Sequence, residues 1–287
     1  MIGDVTFYPN YFWYKGYAVA TYPNSSGETY TSSGGEATGP LYDLVDARRN
    51  IIVTLDTNGD SSHGFSINLT TNANISSADF FIVDNHNYNT STGELALRDS
   101  GGSNLALSGY WGGSIGSELT AQTYSGATKL TRIDDDGIFL GLLDSASTDT
   151  QWTLYSYASS WGDDLTIGEW LVGKKFAMTV APETPEIISN YDGVNLRITK
   201  GGQKHGFGTY GERKAWRLSW EYVTETQKDN FLTVWEVTQG PRYPFYIDLG
   251  ENTNPTLYFV RFVENSLRLQ KLTAGAYKLS FLIESEV

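Results

Sequence analysis

Between Arg213 and Arg261 the chain spells out a strand, a helix and two further strands with legible ends. Trp216, Leu218, Trp220 and Tyr222 alternate with Arg217, Ser219 and Glu221, a period of two that sets four large apolar side chains on one face of a strand. Thr224 is placed to cap a first helical turn, with Gln227 three residues on to reach back as a capping box. Phe231 and Trp235 follow at helical spacing. Gly240 and Pro241 stop the helix. Phe245, Ile247 and Leu249 then resume the alternation with Tyr246 and Asp248, so this part is a sheet that carries one crossing helix on its apolar face.

The 287 residues suffice for two ordinary domains. Aromatic residues make up 14% and glycine numbers 30, a usage that favours short strands and tight turns over helical bundles. With no cysteine, the fold is held by burial without disulfides. Residues 1–185 hold 8 Lys+Arg against 21 Asp+Glu, and residues 186–287 hold 12 against 12, so the whole net charge of −13 sits in the first part. Such a field repels phosphate backbones and argues against nucleic-acid binding. The start, MIGDVTFYPN, has no basic n-region or apolar h-region, and no run reaches bilayer-spanning length. The expectation is synthesis in the cytoplasm and no membrane insertion.

Residues 1–182 read as β almost throughout. Candidate strands include Tyr17–Thr21, Ile51–Leu55, Phe65–Leu69, Asp79–Val83, Leu105–Leu107, Leu130–Ile133, Ile138–Leu142, Gln151–Tyr157, Leu165–Val172 and Lys175–Val180, with no helix among them. This count and spacing predict a β-sandwich of jelly-roll type. Two prolines, Pro182 and Pro185, mark a linker over 183–188. Residues 189–287 then form a smaller antiparallel β domain carrying one α-helix, with Lys200–Gly211 read as a Gly-rich loop and Leu257–Val263 as a central strand.

Two resemblances attach to these words. The Trp-rich strand, the capped helix ending in Trp and Gly-Pro, then PFYIDLGE and YFVRF, resemble the C-terminal part of minor tail proteins at the tail tip of long-tailed bacteriophages. FFIVDNHN (80–87), Trp152-Thr-Leu154 and IGEWLVGKKFAM (167–178) are similar to the discoidin-like, galactose-binding type of jelly roll. Together they imply a structural virion protein made in the host cytoplasm. Its partners would be copies of itself in a ring, the tail tube and the hub, with surface glycan as an alternative partner.

Residue chemistry singles out several candidate sites. Lys204, His205, Phe207 and Tyr210 form the reach of a Gly-rich loop suited to contact a neighbouring subunit. Trp111 and Trp161, each beside glycine and polar residues, offer indoles on which a sugar can stack. Asp134, Asp135 and Asp136 are the best group of hard oxygens for a calcium ion, against the reading of a solvated acidic turn. Asp56–Asp60 has oxygens at alternate positions, but Ser61 and Ile67 stand where a calcium loop needs glycine and a carboxylate. His63, His86 and His205 lack ligand spacing, no G-x-S-x-G exists, and Phe207 stands where a phosphate loop needs lysine. No cofactor and no catalytic residue is expected.

Overall fold

The computed structural model describes residues 4–15, 17–20, 37–38, 45, 52–55, 64–85, 93–101, 104–108, 130–132, 138–158, 165–190, 195–198, 204–207, 213–251 and 256–286. The class is the expected one: mainly β, built of antiparallel sheets. In chain order the elements are β1 (Thr6–Pro9), α1 (Tyr11–Lys15), β2 (Tyr17–Ala20), β3 (Ala37–Thr38), β4 (Val53–Leu55), β5 (Gly64–Asp84), β6 (Gly93–Arg98) and β7 (Asn104–Ser108). There follow β8 (Leu130–Arg132), β9 (Phe139–Ala158), β10 (Leu165–Ile167), β11 (Glu169–Gly173), β12 (Phe176–Ala177), β13 (Glu186–Asn190), β14 (Asn195–Ile198) and β15 (Lys204–Phe207). The chain ends with β16 (Arg213–Thr224), α2 (Glu225–Val237), β17 (Phe245–Asp248), β18 (Leu257–Phe262), β19 (Arg268–Thr273) and β20 (Ala276–Ser285).

Two compact units result, residues 1–9 with 176–287, and residues 10–175. The two prolines predict a division at residues 183–188. The units divide earlier, because Phe176 and Ala177 already pair with β1, Met178 N donates to Val5 O, and Glu183 N donates to Ser219 O. The inserted unit thus lies in sequence between the first strand of the other unit and all its later ones.

In the inserted unit β5 runs between β11 and β9, and Phe80, Phe81, Ile82 and Val83 are all buried. A strand covered on both faces reads as a continuous apolar run, which this one does. The candidate strands Phe65–Leu69 and Asp79–Val83 are two ends of this single 21-residue strand. Its polar middle keeps pairing with β9 through register shifts between Thr70 and Phe80. Ile138–Leu142 and Gln151–Tyr157 are likewise joined in β9. The short helix α1, absent from the sequence reading, opens with Asn10 accepting from Phe12 N through Oδ1 at 2.9 Å. Its Phe12 meets Trp170 edge to face at 5.3 Å.

The other unit is an eight-stranded sheet in the order β12-β1-β17-β18-β20-β16-β13, with β19 also on β20. Helix α2 covers one face, as expected. Thr224 accepts from Gln227 N while Gln227 Oε1 accepts from Thr224 N, which completes the capping box. Beneath the helix Phe7, Phe231, Phe245, Phe262 and Phe281 are buried in one cluster, with Phe231 stacked on Phe281 at 4.8 Å and Phe245 against Phe262 at 4.6 Å. Such pairs add about 0.5–1.5 kcal/mol each beyond area burial. One expected core residue is outside: Tyr222 is 53% exposed. A bulge between Trp220 and Val223 shifts the register on β20, so Val223 turns inward in its place.

Candidate functional site

Three features of the eight-stranded unit are open to solvent and chemically varied. The first is a cleft at the C-terminal end of α2. Trp235 is half-buried there, its ring 4.8 Å from Phe262. The helix closes through Gln239 and Gly240, both in the left-handed region at φ 53° and 63°, and Gly240 N donates to Trp235 O at 2.7 Å. A side chain at position 240 would begin 3.0 Å from Trp235 Cζ2, so the glycine lets the backbone pass close under the indole. Trp235, Pro241, Glu264, Asn265, Leu267 and Arg268 line an open cleft of about 400 Å³. Arg268 Nη1 donates to the carbonyls of Asn265 and Leu267, which ties its guanidinium to the turn before β19. An indole, a carboxylate, an amide and a fixed guanidinium can hold a polar ligand, but they include no activated nucleophile.

The second feature is a pair of strand edges. β13 closes the sheet on one side with Ile187 59% exposed, and its Glu186 accepts from Arg217 Nη1 at 2.7 Å across the ladder. β19 hangs on β20 with all six residues exposed, Leu269 at 39% and Leu272 at 47%. Among the described residues neither strand pairs on its outer side.

The third is a polar group at the β17–β18 end. Burial pushes Asp248 above the usual carboxylate range, although Gly250 N donates to its Oδ1 at 2.9 Å. Burial, with the Glu251 carboxylate beside it, pushes the Tyr258 phenol up to about 12, and Tyr258 OH donates to Glu251 Oε2 at 3.1 Å. Such a phenol holds its proton through the physiological range, so it orients a neighbour and takes no proton away.

In the inserted unit Asp84 and Glu169 are wholly buried and stand opposite each other in the β5–β11 pair. Asp84 Oδ1 accepts from Asn85 N at 2.7 Å, and Gly168 N donates to Asp84 O. Sequence reasoning passed over both. The available signal was a lone acid at the end of an apolar run, in FFIVD and in GEWLV. Asp79 is pushed up by burial, against which Lys175 N donates to its Oδ1 at 2.7 Å. Among the described residues no three His, Asp or Glu side chains gather as metal ligands would.

The sequence-derived candidates are not brought together with these features. Lys204, His205 and Phe207 belong to β15, which pairs with β14 in the register Asn195↔Phe207 to Ile198↔Lys204. The expected loop over Lys200–Gly211 is thus a strand at its centre, where backbone bonds to β14 outweigh the freedom of its glycines. Tyr210, Trp111, Trp161, Asp134, Asp135, Asp136 and the Asp56–Asp60 segment lie outside the described residues. Trp152, Trp216, Trp220 and Trp235 stand in strand or helix patterns that predict core positions; the first three are at most 2% exposed, whereas Trp235 is half-buried and lines the cleft, because it sits at the open end of its helix.

No family model matches the chain, and no curated protein does. Solved structures to which the chain is similar include three carbohydrate-binding modules of Clostridium perfringens. A family 32 module of NanJ, solved with galactose, matches at 12% identity and a TM-score of 0.33, over 58% of this chain and 98% of that one. The module CBM32-1 of a family 31 glycoside hydrolase gives 12% and 0.34, over 56% and 95%. CpGH89CBM32-5, solved with GalNAc-β-1,3-galactose, gives 16% and 0.31, over 48% and 85%. Likeness at this level carries no argument about what the present chain binds.

Proposed function

We propose that the chain is a non-enzymatic assembly protein, a tail-tip component of a long-tailed bacteriophage that forms a ring with copies of itself and joins the tube to the tip. The observation that carries the reading is the embedding of β1 between β12 and β17. The first strand of the chain completes a sheet otherwise made by its last hundred or so residues. The inserted unit is thereby joined in sequence, at both of its chain ends, to one aromatic-cored block. The open edges β13 and β19 and the balanced charge of residues 186–287 also favour packing beside copies. The sequence resemblance to minor tail proteins supplies the particular setting.

Two measurements test it. Peptide mass analysis of gradient-purified particles from the encoding genome is expected to find the chain. Incubating the purified protein with host envelope extract is expected to release no reducing ends. Absence from the particles, or steady release of sugar, overturns the proposal.

The Trp235 cleft favours a second reading, glycan contact, because a cleft lined by an indole and hydrogen-bonding side chains suits a pyranose ring. That reading expects saturable glycan binding lost in Trp235→Ala. If binding is instead lost in Trp111→Ala or Trp161→Ala, the glycan belongs to the inserted unit.

A further inference from the structure

We propose that copies of this chain join by strand addition, the outer edge of β19 in one copy pairing antiparallel with the outer edge of β13 in the next. The inference rests on the self-assembly reading above and names its surface. Three observations lead to it.

The first is direction. β19 is antiparallel to β20, β20 to β16, and β16 to β13. The two open edges therefore run in opposite senses. A second copy in the same orientation brings its β13 antiparallel to β19 of the first, and the alternation continues without a parallel pair.

The second is the apolar pattern. Ile187 stands opposite Trp216, and Leu269 opposite Leu279. Cross-strand partners share a face, and Trp216 and Leu279 both point into the core, so Ile187 and Leu269 lie on the same face of their sheet. Set opposite each other across the joint, the two half-exposed side chains cover one another.

The third is charge. With Ile187 opposite Leu269, Arg268 has Glu186 as its diagonal neighbour, both on the face opposite to Leu269. Diagonal neighbours lie within reach of long side chains, at roughly 7–8 Å. β19 carries Arg268 and Lys271 and no acid, whereas β13 carries Glu186 and no base. Pairing of β19 with β19, or of β13 with β13, sets like charges together. The edges thus discriminate against the two-fold joint and select head-to-tail contact, the kind that closes into rings. Ile187 and Leu269 sit four residues apart along β16, at Trp216 and Trp220. Each joint then steps by roughly 13 Å along the strands, an offset that a closed ring absorbs as strand tilt.

The chain has no cysteine, so engineered disulfides report the joint without background. Ile187→Cys is made in one tagged full-length chain and Leu269→Cys in a second chain with a different tag, and the two are mixed and mildly oxidised. The expected product is the mixed-tag dimer, at least several-fold above either same-tag dimer. Arg268→Glu in the second chain is expected to abolish it, and Glu186→Arg in the first to restore it, with near-ultraviolet dichroism unchanged throughout. Same-tag dimers in equal or greater amount, or no disulfide at any concentration, overturn the proposal. So does failure of the charge exchange to restore the mixed dimer. If the chain is nevertheless found in purified particles, only the strand pairing is discarded and the tail-protein reading stands.

Discussion

Phe7, in the first strand of the chain, meets Phe231 of α2 edge to face at 5.9 Å, and both rings are buried. Phe7 also lies 6.1 Å from Phe245 and from Phe281, so the N-terminal residues supply a central piece of the helix-covered core.

Replacing Phe7 by alanine is therefore expected to cost about 3–5 kcal/mol, the range for a large ring lost from a packed core. Chemical denaturation of the full chain reads it. A fragment of residues 186–287 alone, without β1 and β12, is expected to lack a cooperative transition. A loss below about 1 kcal/mol in Phe7→Ala would place the strand outside the core.

Gly240→Ala meets two penalties at once. The left-handed backbone costs an L side chain roughly 1–2 kcal/mol, and the new methyl begins 3.0 Å from the Trp235 ring. The expected loss is about 2 kcal/mol or more, with a changed tryptophan emission as the indole shifts. An unchanged midpoint and spectrum would contradict the close approach.

Asp149 holds the β6–β7 turn to β9. Burial works against its ionisation, but Ser100 Oγ and N donate to Oδ2 at 2.6 and 3.0 Å, and Gln151 N and Thr150 N donate to Oδ1. The donors prevail and hold the carboxyl below its ordinary value of 3.8. A depressed folded-state value means stability that is present above pH 3.8 and lost as pH falls through the folded value. Asp149→Asn is expected to be less stable than wild type at pH 7 by about 1 kcal/mol, with the gap closing in acid. A gap that persists at pH 2 would contradict the assignment.

Tyr258 gives the opposite sign. Its phenol is raised from 10.0 to about 12 in the folded chain, so its contribution is intact below pH 10 and is lost as pH rises towards 12. The phenolate absorbance of wild type minus that of Tyr258→Phe isolates this one tyrosine. Its midpoint is expected near 12, and a midpoint near 10 would contradict the partial burial of the phenol and its hydrogen bond to Glu251.

How much of this was legible depended on the length of each pattern. The alternation of Trp216–Trp220, the capping pair Thr224 and Gln227, and the stop at Gly240 are local signals, and each is realised. Tyr222 departs from its pattern because a bulge is set by pairing with β20, which the strand's own sequence does not encode. β1 was missed because four residues, TFYP, are too few to display a period, and its partners lie at the other end of the chain. The centre of β5, TTNANISS, reads as a loop because register shifts let polar residues ride through a strand. The candidate cleft draws Trp235 from a helix end and Arg268 from a later turn. Only their meeting in space marks them as a site.

The proposed role is that of a structural part of a phage tail tip that performs no chemistry. Gold labelling of a tagged copy in purified particles tests it most directly. Label is expected at the end of the tail remote from the capsid, in several copies per particle. Label on the capsid, or particles that carry none, would contradict it.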